Sequence, residues 1–261
     1  MGVFWVSFFA VGFILATLMY TVARKHRLMA IVDTIWTAGL GLAACSYFLL
    51  SGLDSLRAWL VLLVVSVWSF RLSFYLFRDR VLKGQEDPRY LALAEYWGEA
   101  ALWNFYFLFL VQIPCIALFL CPVVVAMENS SSGWFWSDTF AVMIALVALS
   151  GEAISDRQLA VFRGNPKNKG AVCRVGLWRF SRHPNYFFEW LHWFAYVAFA
   201  YSSTHGWIAL IGPISMYVFL RFITGVPHSE RSSLKRRGDA YRIYQKTTNA
   251  FFPWIPTRQT D

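Results

Sequence analysis

The sequence predicts an all-α integral membrane protein with about seven transmembrane helices, its N-terminus outside and its C-terminus cytoplasmic. Three observations predict it. The 261 residues are 57% hydrophobic and only 15% charged, against about a quarter charged in a soluble domain. Apolar windows of about 20 residues, enough to cross the hydrocarbon core as helix, recur near 2–23, 30–51, 57–77, 101–126, 137–156, 186–204 and 207–224. They run continuously, without the alternation a barrel strand requires, so helix is the form that satisfies the backbone in lipid. Third, this orientation places every Lys and Arg except Arg57 on or near the cytoplasmic side.

The first window carries no basic segment before it and no clear cleavage site, so it reads as a retained helix. The net charge of +9 follows from the same asymmetry and requires no nucleic-acid partner. Anionic headgroups of membrane lipids are its natural complement. Cys45, Cys115, Cys121 and Cys173 show no C-x-x-C spacing, which suggests neither a disulfide framework nor a metal site. The whole chain, 1–261, reads as a single membrane domain, with substrate-side helices over 1–126 and cofactor-binding helices, loops and tail over 137–256.

Ionisable residues inside spans are costly and by default functional. Asp33 begins the second window and Arg71 lies near the end of the third. Glu152 and Asp156 share a helix face at i, i+4, Glu189 and His192 share one at i, i+3, and Arg221 ends the seventh window. All fall at cytoplasmic depth, which suggests a polar cavity open to the cytosol. Interfacial snorkelling and helix-end ion pairing are the simpler alternative. The loop over 78–99 combines charges with Tyr90, Leu91, Tyr96 and Trp97, and Pro88 suits the first turn of a short amphipathic helix there. Such a helix either lies on the bilayer or caps the cavity.

The stretch 152–196 carries the most information. A helix leaves the membrane through Asp156 and Arg163, the turn-rich GNPKNKG follows, and GLWRFSRHPNY delivers Arg179, Arg182, His183 and Asn185 just before a new helix. Arginines beside a helix N-terminus form a phosphate-binding environment. Beyond Arg221, residues 230–256 read as a basic amphipathic helix with Tyr241 and Tyr244 on one face, then an aromatic-proline end. Surface anchoring explains that tail equally well.

GLWRFSRHPNYFFEW, preceded by DRQLAVFR, resembles the C-terminal half of the steroid 5α-reductase superfamily, and more closely an uncharacterised bacterial membrane family grouped with it. EDPRY in the middle loop and the tail ending FFPWIP fit the same group. The resemblance implies NADPH as cofactor and reduction of an activated C=C bond in a lipid substrate, in a multi-pass protein of the bacterial inner membrane. It implies Asp156, Arg163, Asn185, Glu189 and Arg221 as cofactor-pocket residues. Arg182, His183, Tyr241 and Tyr244 are the further cofactor-binding candidates, and Asp33 with Glu189 the catalytic ones. The steroid-binding half is different. Trp68 stands where a tyrosine is expected, and no glutamate occurs in the first three windows. The R-H-P-N-Y turn also resembles isoprenylcysteine carboxyl methyltransferases, which implies S-adenosylmethionine instead. A non-catalytic lipid-binding protein is the third alternative.

Overall fold

The computed structural model describes residues 2–84 and 86–257, and every regular element among them is helical. Ten α-helices follow in order: α1 (Gly2–His26), α2 (Ile31–Ser51), α3 (Leu56–Leu76), α4 (Pro88–Trp97), α5 (Ala101–Met127), α6 (Trp136–Gly164), α7 (Pro184–Ala200), α8 (Ile211–Val218), α9 (Val226–Arg237) and α10 (Asp239–Thr247). Short π-helical turns, Phe77–Val81 and Phe219–Ile223, prolong α3 and α8. Six helical segments are long and apolar enough to cross a membrane: Gly2–His26, Ile31–Ser51, Leu56–Val81, Pro88–Met127, Trp136–Gly164 and Gly206–Arg237. The chain is a multi-pass membrane protein. The expected window at 186–204 falls on α7, whose 17 residues rise about 25 Å, at the short end of the range for a span. Gly206 packs tightly against the end of α7. A Cβ there would lie 2.0 Å from the Ala200 carbonyl oxygen, so only glycine fits that approach.

The chain divides into two compact units. Unit 1 comprises 1–133 and 199–211, and unit 2 comprises 134–198 and 212–261. In unit 1, α2, α3 and α5 pack on one another and α1 lies against α5. Small and hydroxylated residues set the α2–α3 approach, as membrane helix pairs require. A Cβ on Gly41 would strike the Ser69 side chain, whose Oγ donates to the Thr37 carbonyl at 2.8 Å. Trp36, Trp68 and Phe119 pack edge to face beside that contact.

Arg57, the one basic residue at odds with the charge asymmetry, is buried inside a cage of carbonyls. Its guanidinium donates to the carbonyls of Asn129 (3.1 Å), Ser131 (2.9 Å) and Gly133 (3.0 Å). The cation closes a turn at that end of unit 1, which accounts for its position.

Unit 2 is built on α6 and α7. Gly151 allows their close approach, since a Cβ there would lie 2.4 Å from the ring of Phe188. The basic tail, expected as one helix, is broken into α9 and α10 at Gly238. Its φ of 50° is a left-handed conformation that a side chain would strain.

Candidate functional site

In unit 2, α6 carries a graded stripe. Glu152, Asp156 and Arg163 lie four and then seven residues apart, so their side chains fall within about 20° of one helical line. Glu152 and Asp156 are buried and Arg163 is exposed. Carboxylates therefore occupy the inner part of the face, and a guanidinium stands about 10 Å further out. On α7, Asn185, Glu189 and His192 form a second polar line, with Glu189 and His192 buried. The Asn185 amide donates to Asp156 at 3.3 Å, joining the two helices, and His192 Nε2 lies 2.8 Å from the Tyr196 hydroxyl. The Asn185 carbonyl oxygen is buried without a hydrogen-bond partner among the described residues. Arg221 sits half-buried in the second π-turn.

Next to this pair lies a tightly bonded knot. Gln158 on α6 accepts from the Leu177 N–H at 2.9 Å, and the Trp178 indole donates to the Ser155 carbonyl at 2.9 Å. Both bonds hold the GLWR turn on α6. The Arg182 guanidinium binds Glu230 of α9 at 2.6 Å, the Gln245 carbonyl at 3.0 Å and the Thr248 carbonyl. Gln245 donates to the other oxygen of Glu230 at 2.8 Å. The Tyr244 hydroxyl reaches the carbonyls of Trp178 and Ser181, and the Tyr241 ring meets that of Tyr244 edge to face at 5.8 Å. Ser181 Oγ donates to the Phe251 carbonyl at 2.8 Å, and the Trp254 N–H to that of Phe180 at 2.9 Å. The aromatic-proline end is thus strapped onto the R-H-P-N-Y turn.

The structure therefore brings Arg182, His183, Tyr241 and Tyr244 into one cluster, and Asp156, Asn185 and Glu189 onto the facing surfaces of α6 and α7. Arg163 and Arg221 stand apart from the knot's hydrogen bonds. Sequence reasoning missed Glu230, Gln158 and Gln245 as partners. Glu230 opens the tail motif and Gln158 stands inside DRQLAVFR, so both were in view without a reason to pair them.

Asp33 lies in unit 1, half-buried at the start of α2. Arg80 of the first π-turn and Arg89 of α4 both form ion pairs with it, Arg89 at 2.8 Å, and the Tyr90 hydroxyl donates to it at 2.8 Å. Asp87 caps α4 by accepting from the Arg89 N–H at 2.9 Å. Burial pushes the Asp87 carboxyl up, but the hydrogen bond and charge of Arg89 outweigh it and leave it below the usual carboxylate range. Glu86 accepts from the N–H groups of Met29 and Ala30, satisfying donors at the start of α2. Asp33 is thus the hub of a bonded corner, with an O–H donor directed at it.

Residues 19–248 match the family described as "Protein of unknown function (DUF1295)". The chain belongs to this family. The match to DUF1295 begins inside α1 and ends at Thr248, so it takes in the Asp33 corner, both polar helix faces and the knot up to the carbonyl that receives Arg182. A fission-yeast protein, uncharacterised, from Schizosaccharomyces pombe is 26% identical over 273 residues, covering 93% of this chain and 77% of its own length. No solved structure matches the chain.

Within the knot, His183 stacks on Tyr186 with rings 5.2 Å apart, and its Nε2 lies 3.4 Å from Glu230. Burial lowers its pKa below the ordinary 6.5, although the contact with Glu230 pulls the other way. Burial also pushes the Tyr241 phenol up to about 12, with the Glu230 charge adding to it, and pushes Tyr244 up as well. Both tyrosines are therefore hydroxyl donors at neutral pH. The unfolded chain takes up a proton at His183 more readily than the folded one, so stability should fall as pH drops below about 6.5. Thermal melts of wild type and His183→Asn between pH 7.5 and 5.5 check this. The wild type should lose more over that interval, and parallel curves would contradict it.

Proposed function

We propose that the chain is an NADPH-dependent reductase of an activated C=C bond in a lipid, distantly related to the steroid 5α-reductases. The observation that carries this reading is the graded α6 stripe facing Asn185 and Glu189. Its chemistry suits a dinucleotide of uneven charge. Buried carboxylates and a side-chain amide can hydrogen-bond a carboxamide, while Arg163 at the outer end suits a phosphate. The unpartnered Asn185 carbonyl oxygen is a buried acceptor open to an amide or amino donor. On this reading Asp156, Asn185 and Glu189 would hold the carboxamide end, and Arg163 and Arg221 the phosphates. Arg182, His183, Tyr241 and Tyr244 would position the turn that begins α7. NADPH supplies the hydride when bound. Asp33 is our candidate for organising the lipid end: as an ion-paired carboxylate it only accepts hydrogen bonds, so its part would be to position the donors Arg80, Arg89 and Tyr90 for the lipid oxygen.

One observation favours a second reading, an S-adenosylmethionine-dependent methyltransferase. Arg182 is already engaged by Glu230 and two carbonyls, which removes one arginine from the phosphate set. Buried carboxylates would also suit a sulfonium. The test follows label from cofactor to lipid. Purified protein in lipid nanodiscs receives NADPH deuterated at C4 and an enone lipid, and the product is weighed. We expect a gain of two hydrogens, one of them deuterium, and at least a hundredfold slower transfer in Asp33→Asn with NADPH binding retained. Methyl transfer from labelled S-adenosylmethionine, with no deuterium transfer, would replace this reading with the second. Inertness toward both would favour a lipid-binding role without catalysis.

A further inference from the structure

Unit 1 contains a cavity of about 330 Å³ where α1 ends, lined by Val22, Ala23, His26, Leu28, Ile31 and Val81. Its walls are mainly apolar, and basic residues flank its lining residues along the chain. Arg24, Lys25 and His26 form the last turn of α1, Arg27 follows, and Arg78 lies on the π-turn that leads to Val81. Arg24, Lys25, Arg27 and Arg78 are exposed and have no carboxylate partner among the described residues. The carboxylates nearby are engaged elsewhere. Asp79 pairs with Lys83, Asp33 and Asp87 with Arg80 and Arg89, and Glu86 with the backbone of Met29 and Ala30. An apolar cavity thus lies at the end of α1, and exposed cations without a carboxylate partner among the described residues stand next to its lining residues in sequence.

Arg27 sharpens the point. It holds a φ of 54° where α1 terminates, and the Leu28 N–H reaches back to the Ala23 carbonyl at 2.9 Å. Glycine adopts that position without strain, and a side chain resists it. The chain places a guanidinium there instead.

We propose that this cavity binds an anionic phospholipid, with the phosphate at Arg27 and Arg78 and the start of an acyl chain inside. The charge pattern selects the headgroup, and the apolar walls select a lipid over a free phosphate. The volume is at the lower end of small-molecule sites, roughly 300–1,000 Å³, so it admits part of a lipid and leaves the rest in the bilayer. The proposal rests on unit 1 alone and is independent of the reductase reading.

Native mass spectrometry of the full chain, offered equimolar phosphatidylglycerol and phosphatidylcholine with the same acyl chains, tests it. We expect phosphatidylglycerol to be retained in at least fivefold excess, and high salt to remove the excess. Arg27→Gly combined with Arg78→Gln should abolish the preference. The fold should survive, because glycine relieves the strain at 27. Val22→Trp, which fills the cavity and keeps every charge, should lower retention of both lipids. Equal retention by the wild type, a preference that survives the double substitution, or displacement of lipid by glycerol phosphate as effective as by the whole lipid would each overturn the proposal.

Discussion

Arg182→Leu should destabilise the protein by about 3–5 kcal/mol, the range seen when one partner of a buried ion pair is removed. The substitution leaves Glu230 charged and half-enclosed, and it withdraws the donor from two carbonyls that end α10. The cost should therefore exceed that of any exposed arginine. Glu230→Leu should cost a comparable amount, and the double variant clearly less than the two single costs added, since the two side chains act as one unit. Denaturation in detergent of the four proteins completes the cycle. A loss under 1 kcal/mol for Arg182→Leu would show that the knot does not hold the R-H-P-N-Y turn.

A second large effect is expected at the α6 stripe. Arg163 is exposed and its removal should leave stability within about 0.5 kcal/mol. Yet if it meets a cofactor phosphate, Arg163→Ala forfeits a charge-assisted hydrogen bond of about 1.5–3 kcal/mol, which weakens NADPH binding about tenfold or more. Asp156→Leu should be more severe. It strands the Asn185 amide, whose donor bond at 3.3 Å joins α7 to α6, as well as removing the carboxylate. A fragment holding only the nicotinamide should lose affinity with Asp156→Leu and little with Arg163→Ala. Equal losses with both substitutions would contradict the graded arrangement.

The helical, multi-pass architecture was legible because each span is a long apolar run, and lipid leaves the backbone few other solutions. The start of α4 was legible in Pro88, and Asp87 caps it as a local signal should. The polar faces of α6 and α7 were legible from helical spacing alone. Pairings between distant segments were not. Nothing near Arg182 in the sequence marks Glu230, 48 residues on, as its partner, and the positive-inside asymmetry already accounted for an arginine there. Ion pairing of Asp33 was an open alternative, but its partners were not legible because Arg80 and Arg89 lie some 50 residues away and the loop folds them back. The break at Gly238 was obscured by the amphipathic pattern, which continues across it. Arg57 looked like an exception to topology and became intelligible only with the carbonyls around it.

The central claim is that the α6–α7 face holds a phosphate-bearing nicotinamide cofactor, and equilibrium binding tests it most directly. Purified wild-type protein in detergent is titrated separately with NADPH, by fluorescence of the nicotinamide, and with S-adenosylmethionine, by calorimetry. NADPH should bind saturably and about tenfold or more weakly in Arg163→Ala, with S-adenosylmethionine bound at least tenfold more weakly than NADPH by the wild type. Tighter binding of S-adenosylmethionine, unaffected by Arg163→Ala, would contradict the claim.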